Sequence, residues 1–352
     1  MAEPPPPLPP DDASLAARIL SEVGAARDSE VASSDQAGRL VSAVEILLGR
    51  REIPEALALD LFRRLLPVLP GLPSGQAIRA AMVPARLSRR FIVTEPLGAG
   101  GRGAVFKAID LVRLEAGAAP RHVAVKLGDA GTEQTVRRLF AEWRHAEALA
   151  HPAIIAIHDV AREGAHVFAV MDYVPGEDLK ALIARAAPLD RRAVTGIIEQ
   201  IGGALAFCHG LHRIHGDVKP ANIILAPDGR ATLIDLSSMA ELSHIQDGRW
   251  IGGSEEGPIE VTPRYASPER LAGDTADPAD DIYAFAVLIC EMLGAYPFAE
   301  ARPGDDPRER RAEVPGDLSR AARRALLRAL TPRRRDRWHD MAEFLRALRL
   351  PL

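Results

Sequence analysis

Ile214-His215-Gly216-Asp217-Val218-Lys219-Pro220-Ala221-Asn222-Ile223, followed by Leu233-Ile234-Asp235-Leu236-Ser237, is the most informative stretch of this chain. It contains H-x-D-x-K-x-x-N and then an aspartate at the end of an apolar strand pattern. Phosphoryl transfer to a hydroxyl needs a carboxylate to orient the acceptor and take its proton. It also needs a cation at the transferred phosphate and oxygen ligands for magnesium. Asp217, Lys219 and the pair Asn222 with Asp235 meet those needs one for one. The lysine adds weight, because only four of the 44 basic side chains are lysines: Lys107, Lys126, Lys180 and Lys219.

Working upstream, Val123-Ala124-Val125-Lys126 reads as a strand ending in another of those lysines. An ammonium there can contact phosphates if a carboxylate holds it. Glu142, on a helical pattern over residues 132–149, is the natural partner. Earlier still, Leu97-Gly98-Ala99-Gly100-Gly101-Arg102-Gly103-Ala104-Val105 is a G-x-G-x-x-G-x-V. Glycines let backbone N–H groups approach phosphate oxygens without a Cβ in the way. The same spacing opens dinucleotide-binding units, but there a helix follows the loop. Here a strand pattern follows, which places Val105 on a strand under a bound base.

Around these motifs the texture changes at Phe91. Residues 13–90 carry helical periodicity: Leu15, Ile19, Leu20 and Val23; Leu40, Val44, Leu47 and Leu48; Leu57, Leu61, Leu65 and Leu66; and a shorter run from Gln76 to Met82. Residues 1–60 hold 11 acids and 5 arginines, whereas residues 61–90 hold 6 arginines and no acid. Residues 1–12, mostly proline, read as a disordered tail. From Phe91, β-patterned segments dominate (91–94, 104–108, 122–127, 154–160 and 167–171). After Pro175 helical patterns return (193–209, 280–293, 318–330 and 341–348). Strands first and helices afterwards predict an α+β fold with two lobes.

Composition excludes several classes. Apolar residues at 47% and charged residues at 26% are those of a globular chain. A net charge of −4 gives no field for nucleic acid or an anionic membrane. The longest apolar run, residues 282–292, is too short to span a bilayer and contains Glu291. No basic segment followed by an apolar one opens the chain, so a cytoplasmic location is expected. Cys208 and Cys290 lie in apolar helical patterns and read as inert core residues. The Arg-rich stretch 320–337 reads as a solvated helical face together with a pairing to Glu269.

Taken together, residues 91–349 resemble a eukaryotic-like protein kinase domain of the bacterial serine/threonine type. The resemblance implies a bilobal fold: a small β-rich N-lobe with its hinge over 91–174 and a larger helical C-lobe over 175–352. A small all-α regulatory or docking domain over 13–90 would precede them. It also implies ATP and Mg²⁺ (or Mn²⁺) as cofactors, the nucleotide lying under Gly98, Ala99, Gly100, Gly101 and Gly103 and against Val105 and Ala124. Met171 would be the gatekeeper, Asp172 and Val174 would face the adenine, and Asp178 the ribose. Lys126, paired with Glu142, would hold the α- and β-phosphates; Asp217 would be the base and Lys219 the γ-phosphate cation; Asn222 and Asp235 would hold the metal. Thr262-Pro263-Arg264-Tyr265-Ala266-Ser267-Pro268-Glu269 resembles the substrate-side loop, with Arg337 or Arg335 pairing with Glu269. Ala146, Ile157, His215 and Leu236 would form the apolar column of the family.

Three departures stand out. Gly216 replaces the Arg that many kinases place beside the catalytic Asp, a non-RD pattern. That leaves a phosphate on Ser238, Ser243, Ser254 or Thr262 without its usual receiver and predicts independence from that switch. Leu236-Ser237 replaces Phe-Gly after the metal Asp, and Ala286 replaces a glycine in the buried helix. The implied partners are protein substrates bearing Ser or Thr, and a regulatory partner at the N-terminal helices, expected to touch the helix that carries Glu142. Two other readings use the same residues: a small-molecule phosphotransferase resembling the aminoglycoside and choline kinases, and a pseudokinase scaffold.

Overall fold

The computed structural model describes residues 21, 34–50, 53–66, 69, 85–100, 103–117, 122–129, 133–164, 166–246, 249–252, 262–298, 306, 309 and 311–349. They fall into two compact units. The first takes the described residues up to Trp143 together with Ile157–Tyr173; the second takes Arg144–Ala156 and those from Val174 onward. The architecture is α+β, a β-rich unit and a mainly helical one.

The first unit is built on a six-stranded antiparallel sheet in the order β1-β2-β3-β4-β6-β5. Its strands are β1 (Ala85–Leu87), β2 (Phe91–Gly100), β3 (Gly103–Asp110), β4 (His122–Asp129), β5 (Ile157–Glu163) and β6 (His166–Asp172). Side chains alternate between the two faces, as a strand requires. Ala104, Phe106, Ala108, Val123, Val125, Leu127, Phe168 and Val170 fill one apolar core. Val105, Lys107 and Ile109 on β3, with His122, Ala124 and Lys126 on β4, take the other face.

That second face is where the N-terminal helices go. Helix α1 (Ser34–Gly49) and helix α2 (Glu55–Leu65), which starts after Pro54, bring Val41, Val44, Leu48, Leu61, Phe62 and Leu65 together. The same cluster contains Ile92, Ile109, Leu111 and Leu114. The last two belong to α3 (Leu111–Glu115), capped by the Asp110 carboxylate. The described N-terminal helices fall within the first compact unit. Their core is shared with β2, β3 and α3, and among the described residues none from the helix carrying Glu142 belongs to that cluster. Periodicity reveals that a helix has an apolar face, but not which surface covers it. β1 (Ala85–Leu87) falls within the segment whose periodicity predicts helix, because three residues are too few for a strand pattern to register. The patterns over residues 15–23 (Ser21 apart) and 76–82, and the proline-rich tail, lie outside the described residues.

The second unit is organised around α8 (Pro278–Met292), buried from Ala279 to its end. Before it come α5 (Leu179–Ala186), α6 (Arg191–Gly210) and the short α7 (Pro268–Leu271); after it come α9 (Arg320–Ala329) and α10 (Met341–Leu348). Aspartate and serine caps start most of these helices, including a reciprocal capping box between Asp277 and Asp280 on α8. Two small sheets, β10-β9-β7 and β12-β11-β8, carry the loops of interest. They consist of β7 (Glu177–Asp178), β8 (Arg213–Ile214), β9 (Ile223–Leu225), β10 (Ala231–Leu233), β11 (Ala240–Gln246) and β12 (Arg249–Gly252). The strand expected from Ile154 begins only at Ile157. Ile154 instead bridges Leu233, and the Ile155 N–H donates to the Leu233 carbonyl at 2.9 Å. Among the described residues no helix is long and apolar enough to cross a membrane.

Candidate active site

Helix α4 (Glu133–Glu147) carries Glu142. In the first unit Lys126 Nζ donates to both oxygens of Glu142, at 3.0 and 2.8 Å. Both side chains are buried, so this is a charge pair held away from bulk water. Val105 is the register partner of Lys126, and Met171 that of Ala124, so these four share one face of the sheet. β2 and β3 pair as far as Gly100 opposite Gly103. Gly103 has φ +126°, and a Cβ there would lie 2.3 Å from the Leu127 carbonyl oxygen. Only glycine fits that turn. Gly98 is exposed and in open space; Gly101 lies outside the described residues, as does Ser254.

In the second unit the loop after β8 brings together Asp217, Lys219, Asn222 and Thr262. Lys219 Nζ donates to Asp217 Oδ2 at 2.5 Å and to Thr262 Oγ at 3.0 Å. The Thr262 hydroxyl donates to Asp217 Oδ1 at 2.8 Å. Asn222 donates its amide to the Asp217 carbonyl at 2.8 Å and to Oδ2 at 3.2 Å. A buried carboxylate thus sees a hydroxyl on one oxygen and an ammonium and an amide on the other. The Ile234 N–H donates to the Asn222 carbonyl at 2.8 Å, tying the segment of Asp235 to this loop. Asp235 sits at φ +66°, a sparsely populated conformation for a non-glycine residue.

Asp281, the first buried acid after the α8 capping box, supports this loop from behind. Its Oδ2 accepts from the His215 N–H at 2.8 Å and from His209 Nε2 at 2.9 Å, and its Oδ1 accepts from the Gly216 N–H at 2.9 Å. Burial works against its charge, yet the His209 bond and the loop N–H groups hold its pKa below the ordinary value. Burial lowers the pKa of His215, which is fully enclosed and offers Nδ1 to the Asp217 N–H at 3.3 Å. Gly216 has φ +79°, and a Cβ there would meet the Ser238 carbonyl oxygen at 2.6 Å.

The motifs and their order agree with what comparison with known protein sequences finds. The sequence fits the protein kinase domain over residues 91–344. The chain belongs to the protein kinase family. The serine/threonine-protein kinase PknL of Mycobacterium tuberculosis is 34% identical over 221 residues, which cover 61% of this chain and 52% of that protein. PknA of the same species is 32% identical over 222 residues, 60% of this chain and 49% of the relative. PrkC of Bacillus subtilis is 31% identical over 223 residues, 62% and 32% respectively. The chain therefore spans about half, or less, of the length of these relatives.

Some residues were placed by their motif and others were not. Asp178 caps α5 through the Ala181 N–H at 2.8 Å, and Asp172 bonds His158 at 2.7 Å. Val174 is the first residue of the second stretch of the second unit. Arg337, not Arg335, pairs with Glu269 at 2.6 Å, and it is fully buried. Arg334 binds Glu269 through its backbone N–H and Asp280 through its side chain, and Arg328 stacks on Trp338 at 3.9 Å. The stretch 320–337 is thus partly internal bracing, not wholly a solvated face. Cys208 and Cys290 are buried, and burial pushes both thiols up to about 12. The bracing roles of Asp281 and His209 escaped the sequence reading. The signal was an aspartate at the head of a helix that from there on is apolar but for Glu291, where a charge needs a partner.

Proposed function

We propose that this chain is an ATP- and magnesium-dependent protein kinase that transfers the γ-phosphoryl group to Ser or Thr hydroxyls of protein substrates in the cytoplasm. The observation that carries this reading is the carboxylate of Asp217, with the Thr262 hydroxyl at 2.8 Å on one oxygen and Lys219 on the other. That oxygen already accepts from a threonine-type hydroxyl, which is what a base for a Ser or Thr acceptor must do.

The residues fit the implied metal. The Asn222 amide N–H₂ is spent on Asp217, which leaves its carbonyl oxygen as a ligand, and Asp235 supplies a carboxylate. No cluster of three or more His, Cys, Asp or Glu able to hold a metal exists among the described residues. One amide and one carboxylate suit Mg²⁺, which takes its remaining ligands from phosphates and water. When bound, Mg²⁺ neutralises charge on the β- and γ-phosphates.

The chain's own residues do the rest. Lys126, fixed by Glu142, meets the α- and β-phosphates, and Gly98, Ala99, Gly100, Gly101 and Gly103 cover them. Val105, Ala124, Met171, Asp172 and Val174 take the base, and Asp178 the ribose. Asp217 orients the hydroxyl and accepts its proton, while Lys219 balances charge on the transferred group. Gly216 and Asp281 set the loop without a phosphate, which supports activity independent of that modification. The test is intact-mass spectrometry after incubation with Mg²⁺ and ATP, beside Lys126→Met and Asp217→Asn. Phosphoryl additions in the wild type alone are expected; equal additions in Asp217→Asn would overturn the assignment.

A further inference from the structure

The face of the sheet that carries Val105, Ala124 and Lys126 does not end there. One step along β3 and β4 from Val105 and Ala124, the same face bears Lys107 and His122, then Ile109 and Ile92. The N-terminal helices cover this far end, and α1 adds a polar contact to the apolar cluster. Glu45 on α1 bonds His122 Nε2 at 2.8 Å and lies 3.6 Å from Lys107 Nζ. Lys107 also pairs with Glu95 at 3.0 Å and lies 5.1 Å over the Tyr173 ring. His122 meets the same ring edge-on, with centroids 6.1 Å apart. Burial opposes the charge of Glu45, yet His122 and Lys107 hold its carboxyl below the usual range. Lys107 is again one of the four lysines in an arginine-rich chain.

We infer that α1 supplies the outer wall of the nucleotide face, with Glu45 as a positioning residue that holds Lys107 and His122 against Tyr173 at the nucleoside end. This rests on the kinase reading above. A strand rises about 3.3 Å per residue. Lys126, the phosphate-binding candidate, is four residues from His122, so the clamp lies roughly 13 Å from it along β4. The wall therefore acts on the base and sugar, not on the phosphates. A segment outside the kinase-matched residues 91–344 becomes part of the nucleotide site.

The experiment measures dissociation constants of ATP, ADP and AMP, with Mg²⁺, for wild type, Glu45→Ala, Glu45→Gln, Lys107→Met and the control Arg63→Ala. Arg63 pairs with Glu115 on the exposed side of α2 and touches none of the clamp. Loss of a charge-assisted bond predicts roughly ten- to a hundred-fold weaker binding in Glu45→Ala. The loss should be equal for all three nucleotides, smaller in Glu45→Gln, and absent in Arg63→Ala. KM for ATP should rise with kcat at saturation within about two-fold of wild type. Lys107→Met reads the clamp from the strand side should Glu45→Ala melt below the assay temperature. Wild-type binding with no change in either clamp variant would overturn the inference alone, as would a loss confined to ATP. No binding by wild type would overturn the kinase reading as well.

Discussion

Asp281 Oδ1 accepts the backbone N–H of Gly216 at 2.9 Å, while its Oδ2 takes that of His215. A carboxylate at the start of a buried helix therefore fixes the backbone immediately before Asp217. Gly216 occupies a left-handed conformation against the Ser238 carbonyl, so a side chain has no room at this position beside Asp217.

Asp281→Asn should weaken that support. An amide keeps one acceptor oxygen and turns an N–H₂ toward N–H donors. Losing a charge-assisted bond predicts a cost of about 1.5–3 kcal/mol. Urea denaturation should show the loss, and single-turnover phosphoryl transfer should slow even at saturating ATP. Unchanged transfer would detach Asp281 from catalysis.

Gly216→Ala places a Cβ 2.6 Å from the Ser238 carbonyl oxygen in a backbone region that disfavours it. The penalty should exceed about 1 kcal/mol, the cost of the left-handed conformation alone. Gly216→Arg should be no better tolerated and should not restore a phosphate switch. Equal activity of phosphatase-treated and untreated wild type checks the companion expectation.

Asp217→Asn removes the base while keeping the shape of the loop. Transfer should fall about 10²- to 10⁴-fold. ATP affinity should stay within about two-fold, since no phosphate contact is assigned to Asp217. Rapid-quench kinetics beside a nucleotide titration separates the two.

Phe62→Ala tests whether the N-terminal helices share their core with the sheet. Phe62 is fully buried in the cluster that includes Ile92 and Ile109. Truncation should cost about 3–5 kcal/mol. The sheet should lose stability in the same transition, as read by hydrogen exchange at Val105 and Val125. Exchange unchanged at those strands would mean independent folding.

Burial raises the pKa of Asp280 to about 6, against the influence of Arg334 and Ser267. The unfolded chain releases this proton near 3.8, so between those values the folded state binds the proton more tightly. Stability from this group is therefore present at low pH and falls as pH rises toward 6. Asp280→Asn should lack that fall, gaining on wild type by on the order of 2 kcal/mol from pH 4 to 7. Parallel urea midpoints across that range would refute it.

The loop residues were legible because their chemistry is encoded at short range. Asp217, Lys219 and Asn222 lie within six positions, and the hydrogen bonds that join them follow from that spacing. The strand that carries Lys126, which runs on to Asp129, and the turn at Gly103 were readable for the same reason. Pairing with Glu142 required only that a helix lie beside the strand. Contacts built across long chain separations were not legible. Glu45 reaches His122, and Asp281 reaches His215, because apolar surfaces elsewhere brought their elements together. Hydrophobic burial has no direction. Apolar periodicity in the chain dictated which faces of α1 and α2 had to be covered, and motif spacing dictated which loop carries the chemistry. Folding in three dimensions assigned the covering to β2, β3 and α3, and brought a buried carboxylate on α8 behind that loop.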